Sequence, residues 1–202
     1  MAAVQGNWEF YATADGRVRM RLHHSDSPSR RVRWSPDGNF VVSVGGGGAA
    51  KSVKVWDAHT GECLQTIIPG DGDPLLSVAI SPDSKTIAVQ GKQFEITLCD
   101  IASGKCIGIL PGHTDLIFDL DWHPDGRRLV SGSTDNTCRI WNVQTGAELL
   151  TFRDAPSWVL SARFSHDGSL LVTGDANSLW GRMAPIRFYD ATLPDIANES
   201  QR

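Results

Sequence analysis

The chain has 202 residues, 41% of them hydrophobic and 21% charged, with a formal net charge of −4; these values argue against a disordered or fibrous chain and make nucleic acid or an anionic membrane an unexpected partner. The length can bury a proper core as one large domain or two small ones. The opening residues, MAAVQGNWEF, contain neither the charged and apolar regions of a secretory signal nor a run able to span a bilayer. A cytoplasmic or nuclear location is therefore expected, not secretion.

In chain order, residues 1–7 read as an N-terminal tail and residues 8–22, WEFYATADGRVRMRL, as two strands around a Gly turn. Arg17, Arg19, Arg21, Arg30, Arg31 and Arg33 crowd this part of the chain and leave the remainder acidic. Arg17, Arg19 and Arg21 alternate on one face of a strand, which suits a solvated edge protected from pairing, or a surface for an acidic or phosphorylated partner. A turn then recurs as RWSPDG, AISPDS, DWHPDG and RFSHDG, at Ser35, Ser81, His123 and Ser165, with intervals of 46, 42 and 42 residues. Such a period is that of a four-stranded propeller blade.

Each turn is flanked in the same way. A short alternating strand precedes it (RRVRW, LSVAI, FDLDW, LSARF) and a β-branched run follows (NFVVSV, TIAV, RRLVS, SLLVT). Pro presets φ, Asp bonds the backbone beside it, and Gly supplies positive φ, so the four residues close an antiparallel hairpin. A third strand ends in KVWD, TLCD, RIWN or RFYD, and a fourth follows a Gly turn in HTGECLQTI, ASGKCIGIL and QTGAELLTF.

On these residues the chain resembles the WD-repeat (WD40) β-propeller family, as a short or incomplete member. The resemblance covers residues 8–190, and the third unit matches best, with Gly112-His113, HPDG, SGSTD and Trp141-Asn142. It implies that His113, a serine of Ser131 to Ser133, Asp135 and Trp141 form a hydrogen-bonded tetrad locking that blade. Unit one has no Gly-His before it, unit two has Cys99 in the Trp position, and unit four has Tyr189. One pinned blade and three held mainly by packing are expected. The resulting architecture is all-β, with about four blades of four antiparallel strands in an open or incomplete ring. Residues 8–22 form a half blade (third and fourth strands), four units span residues 23–68, 69–111, 112–153 and 154–190, and residues 191–202 form a C-terminal tail. Open ends expose apolar sheet faces, which tend to associate.

Two segments suggest chemistry that the repeat explains differently. GGGGAAKS, from Gly45 to Ser52, approaches a phosphate-binding loop, but Ala50 stands where the second Gly is needed and VKVWD reads as a strand where a helix is required. In the repeat register these residues are an enlarged hairpin turn. His113, Asp115, Asp119, Asp121, His123 and Asp125 invite a metal reading, yet His113 belongs to the tetrad and His123 and Asp125 to a turn. Asp119 and Asp121 share one face of an innermost strand, where they are open to solvent, to Arg pairing or to a hard cation. Cys63, Cys99, Cys106 and Cys138 lack a C-x-x-C pair, so reduced and mostly buried thiols are expected, with neither zinc nor a disulfide framework.

No nucleophile beside a base and no paired-carboxylate constellation stands out, so no enzyme and no cofactor is expected. The turn between second and third strands is longest in units one and four. Gly45, Gly46, Gly47, Gly48 and Lys51 lie in the first, and Trp180, Arg182 and Met183 in the second. Trp, Arg and Met are enriched at interfaces. The expected function is a non-enzymatic scaffold binding peptides or proteins on this loop face; the alternatives are a piece of a larger propeller that closes with a partner or by self-association, and a nucleotide- or metal-binding enzyme.

Overall fold

A computed structural model describes residues 2–4, 7–11, 18–23, 29–45, 51–70, 74–176 and 186–192. Its first sheet comprises β1 (Ala2–Val4), β2 (Asn7–Tyr11) and β3 (Val18–His23). Three four-stranded sheets follow: β4 (Ser29–Trp34), β5 (Phe40–Gly45), β6 (Ser52–Asp57) and β7 (Cys63–Ile67); β8 (Val78–Ile80), β9 (Thr86–Gln90), β10 (Ile96–Asp100) and β11 (Cys106–Leu110); β12 (Ile117–Trp122), β13 (Arg128–Ser133), β14 (Cys138–Asn142) and β15 (Glu148–Phe152). The last sheet has three strands, β16 (Val159–Phe164), β17 (Leu170–Asp175) and β18 (Ile186–Asp190). Every pairing is antiparallel between consecutive strands. The arrangement is an all-β, open WD40-type propeller. Ala2–Val4, in the stretch expected to be a tail, pairs with β2, so the N-terminal sheet has one strand more than the two expected.

The repeated turn explains why each blade starts with a hairpin. The Ser35 hydroxyl donates to Asp37 Oδ1 (2.6 Å) and accepts the Phe40 N–H (3.0 Å), while Asp37 Oδ1 accepts the Asn39 N–H (3.1 Å). The same bonds recur at Ser81, Asp83 and Thr86, and at Ser165, Asp167 and Leu170. In unit three, His123 Nδ1 replaces the hydroxyl and accepts the Asp125 N–H (3.1 Å). In AISPDS the Gly position is taken by Ser84, which adopts φ +60°.

The core lies between sheets, at repeating register positions. Val42, Val53 and Val55 pack toward Leu75, Val78 and Ile87; Ala88, Ile96 and Leu98 toward Ile117, Leu120 and Leu129; Val130, Cys138 and Ile140 toward Val159, Ala162 and Leu171. Burying each large side chain contributes about 1.5–3 kcal/mol, so these layers carry the fold. Met20 and Leu22 of β3 close over Val41 and Trp56 in the same manner. Side chains also bridge the blades: Gln90 Oε1 accepts the Ile117 N–H (2.8 Å), His123 Nε2 donates to the Gly168 carbonyl (3.0 Å), and Arg128 Nη1 donates to the Ala191 carbonyl (2.8 Å). Among the cysteines, Cys99 and Cys138 are buried but Cys63 and Cys106 are exposed, which corrects the expectation of mostly buried thiols. The exposed pair sits at the outer strands β7 and β11, where one face meets solvent.

Candidate functional site

Blade three carries a continuous chain of side-chain hydrogen bonds. Trp141 Nε1 donates to Ser131 Oγ (2.8 Å), Ser131 Oγ meets His113 Nε2 (2.7 Å), and His113 Nδ1 meets Asp135 Oδ2 (2.8 Å). The Asp135 carboxylate can only accept, so the Nδ1–H of a neutral imidazole donates to it, and the Nε2 lone pair accepts from the Ser131 hydroxyl, whose oxygen accepts from the indole. Ser133 stands apart: its hydroxyl donates to the Asp115 carbonyl (3.2 Å) and accepts the Asp135 N–H (3.1 Å). Gly112, at φ +150°, brings the backbone close enough that a Cβ there would lie 3.1 Å from the Trp141 ring and 2.7 Å from Arg139 Nη1. Burial lowers the His113 pKa against the opposing influence of Asp135. Burial alone would raise Asp135, but the hydrogen bond and charge of His113, joined by Thr137 and the Thr114 N–H, outweigh it and hold the carboxyl well below the usual range.

The other blades are less bare than the sequence suggests. In blade one Trp56 Nε1 donates to Ser43 Oγ (2.8 Å), half of the blade-three network. In blade four the Tyr189 hydroxyl donates to Asp154 (3.0 Å) and Arg187 pairs with Asp175. Burial and the Asp154 carboxylate push the Tyr189 phenol up to about 12.

Along the propeller axis the first strands β4, β8, β12 and β16 follow one another. Asp119 and Asp121 of β12 are engaged there by arginines: Arg163 Nη2 lies 2.5 Å from Asp119 Oδ1 and Arg163 Nη1 lies 3.3 Å from Asp121 Oδ1. Asp119 also accepts from Ser161 Oγ (3.2 Å) and the Ala162 N–H (3.2 Å), and Asp121 accepts the Phe164 N–H (2.9 Å). Of the three possibilities open to these carboxylates, Arg pairing is the one observed. Among the described residues, no group of three or more His, Cys, Asp and Glu side chains could hold a metal ion. Arg31 and Arg33, part of the N-terminal arginine run, lie on β4 and turn toward this axis. Arg31 Nη2 donates to the Phe118 carbonyl (3.2 Å), and Arg33 Nη2 lies 3.9 Å from Asp119. Burial and the nearby Arg163 and Arg31 lower the Arg33 pKa.

The connections between second and third strands emerge at one end of the blades. Gly45 pairs with Ser52, and Gly174 with Ile186, so the two longest of these connections join paired neighbouring strands. No helix follows Lys51, which leads directly into β6; a phosphate-binding loop would need one. Lys51 is half-buried. Gly46, Gly47, Gly48, Trp180, Arg182 and Met183 lie outside the described residues. Trp158, missed in the sequence reading, is 52% exposed, and its carbonyl accepts the Ala176 N–H (2.7 Å) at the base of the second connection. Its signal was available: Trp158 occupies the place of Leu116 in unit three, immediately before the first strand. At the opposite end, a groove of about 350 Å3 between blades two and three is lined by Ser81, Asp83, Trp122, Asp125 and Arg127. Ser81 there donates to Asp83 as part of its turn.

Consecutive antiparallel sheets stacked through the same register positions, one of them locked from His113 to Trp141, define a β-propeller protein. The family profile described as "WD domain, G-beta repeat" matches residues 16–57, 104–142 and 146–180, more than half of the chain, and the chain belongs to this WD40 family. The unmatched stretch between the first two segments holds most of unit two, where Cys99 replaces the aromatic residue. The chain is 30% identical over 148 residues to "Cell division cycle 20.1, cofactor of APC complex" of Arabidopsis thaliana, covering 72% of this chain and 32% of that protein. It is 30% identical over 154 residues to "Protein groucho" of Drosophila melanogaster, covering 76% of this chain and 20% of that protein. With "Periodic tryptophan protein 2 homolog" of Dictyostelium discoideum it shares 24% identity over 192 residues, covering 90% and 20% respectively. The chain thus spans a third or less of the length of these curated relatives. Among the described residues, no helix is long and apolar enough to cross a membrane.

Proposed function

We propose that the chain is a non-enzymatic interaction scaffold of the cytoplasm or nucleus that holds protein or peptide partners on the face bearing its second-to-third-strand connections. The observation that carries this reading is the exposed Trp158 ring at the base of the connection whose sequence contains Trp180, Arg182 and Met183. Tryptophan and arginine dominate binding hot spots, where truncation costs about 2 kcal/mol or more. Family membership supports the reading, and one relative is by its name a cofactor of a complex. The test is to recover partners on the immobilised chain and measure their affinity. Trp180→Ala and Arg182→Ala are expected to weaken binding roughly thirtyfold each, and unchanged affinity in both variants removes the loop face from consideration.

A second reading, closure of the propeller by another blade, is favoured by a separate observation. Val172, Ile186 and Phe188 occupy the register positions of Val130, Cys138 and Ile140, which blade three buries against blade four. In blade four Ile186 is 67% and Phe188 71% exposed. This face has the chemistry of an inter-blade layer. Mass measurement in solution tests it: a discrete dimer that Phe188→Asp converts to monomer supports pairing of copies, heterogeneous aggregates support a piece of a larger propeller, and a monomer at all concentrations rules out self-association.

A further inference from the structure

Blade two breaks the side-chain pattern of its neighbours in a way that assembles two thiols. In blades one and three an indole on the third strand donates to a serine on the second, Trp56 to Ser43 and Trp141 to Ser131. The corresponding residues of blade two are Cys99 and Val89, as the strand registers show. Across the third and fourth strands, Trp56 faces Cys63, Trp141 faces Glu148, and Cys99 faces Cys106. Of these three pairs only that of blade two carries sulfur at both positions, and the two Sγ atoms are in contact at 3.5 Å.

We propose that Cys99 and Cys106 form a thiol–disulfide exchange site that reacts with low-molecular-weight disulfides such as oxidised glutathione. Cys99 and Cys106 are strand partners beside a register shift between Leu98 and Cys99, and with their Sγ atoms already in contact the change to a disulfide bond of about 2.05 Å is a short, local movement. The two thiols differ in access. Cys106 is exposed, whereas Cys99 is fully buried beneath the strand pair, and burial together with Cys106 raises its pKa. Reactivity follows the thiolate and its access, which assigns the order of events. The Cys106 thiolate attacks one sulfur of glutathione disulfide, forming a Cys106–glutathione mixed disulfide and releasing one glutathione thiolate. Cys99 then gives up its proton and attacks Cys106 Sγ, releasing the second glutathione, which takes up that proton. Two protein thiols are oxidised by two electrons, and one glutathione disulfide is reduced to two glutathiones. The product is a covalent tie between β10 and β11 in the blade that lacks the indole–serine bond. Cys63 is an internal control: it is exposed like Cys106, but it faces Trp56 and has no sulfur to resolve an adduct.

The chain lends itself to a direct test, because Lys105 lies between the two cysteines and trypsin places them in separate peptides, residues 93–105 and 106–127. The reduced chain is incubated with oxidised glutathione, quenched by alkylation and digested. The expected result is a disulfide-linked pair of these peptides, with Cys63 retained as a glutathione adduct or an alkylated thiol. In Cys99→Ser the linked pair is lost and Cys106 accumulates as the glutathione adduct; in Cys106→Ser the pair is lost and Cys99 stays a thiol. Circular dichroism of the wild type before and after oxidation shows whether the link forms in the folded chain. The proposal is overturned if the folded wild type stops at the mixed disulfide, if Cys106 links to Cys63 instead, if the link appears only once the fold is lost, or if no thiol of the pair reacts.

Discussion

Trp141→Ala is expected to lower folding stability by about 3–5 kcal/mol, the range for deleting a large buried aromatic side chain. The ring is fully buried against Leu129 and Leu110 in the layer between blades two and three, and its loss also leaves Ser131 without its donor. Against a total of about 5–15 kcal/mol for a domain, such a loss consumes much of the margin, and urea denaturation will show it as a lower midpoint. Trp141→Phe helps to separate the two contributions, since it removes the N–H while keeping an aromatic ring and most of the volume. A loss close to that of alanine would place the stabilisation in the hydrogen bond instead of the packing. The same network sets a pH response. The folded-state pKa of His113 is depressed, so the unfolded chain binds the proton more readily as pH falls below the ordinary histidine value of about 6.5. Stability is therefore lost on acidification from pH 7.5 toward 5.5, and His113→Gln should flatten that slope. The Asp135 contribution acts in a lower window: it is present above the ordinary carboxyl value of about 3.9 and is lost as pH falls below it.

Asp119→Ala should be costly for an electrostatic reason. The carboxylate side chain is 3% exposed and faces Arg163 with Arg33 beyond it. Its removal leaves these cations, and Arg31 near them, with Asp121 as the remaining acid of β12. Breaking a buried pair costs about 3–5 kcal/mol; Arg163 is 30% exposed, so solvent screening reduces the expectation to about 2–4 kcal/mol. A double-mutant cycle checks the cause. Arg163→Met in the Asp119→Ala background should recover part of the loss, because it removes the stranded charge and leaves an apolar stem. Additive losses would mean that Asp119 acts through its bonds to Ser161 and the Ala162 N–H, not through the arginines.

The repeat made most of the architecture legible, because its signals are local. Ser35, Ser81 and Ser165 bond their own hairpins, and Trp141 and His113 stand at recognisable offsets from the same turn. What escaped depends on neighbours far along the chain. Ala2–Val4 has no alternation of its own and becomes a strand only beside β2. The arginine run looked like one patch, yet Arg31 meets a carbonyl 87 positions away while Arg30 faces solvent. Cys99 and Cys106 lack a known cysteine spacing, and their contact follows from a register shift at Leu98 and Cys99 that composition cannot reveal. Trp158 was visible as a departure from Leu116, but its exposure was not.

The pairing of consecutive strands throughout the described sheets has a consequence for how the chain is made. A blade's hydrogen-bonded ladder closes within about forty residues, so each sheet can form as soon as its own segment leaves the ribosome, without waiting for distant sequence. The axial arginines are different. Arg31 cannot reach Phe118 until blade three has been made, and Asp119 waits for Arg163 until blade four follows. Synthesis thus lays down blades one after another, and the ion pairs at the axis register that the stack is in order.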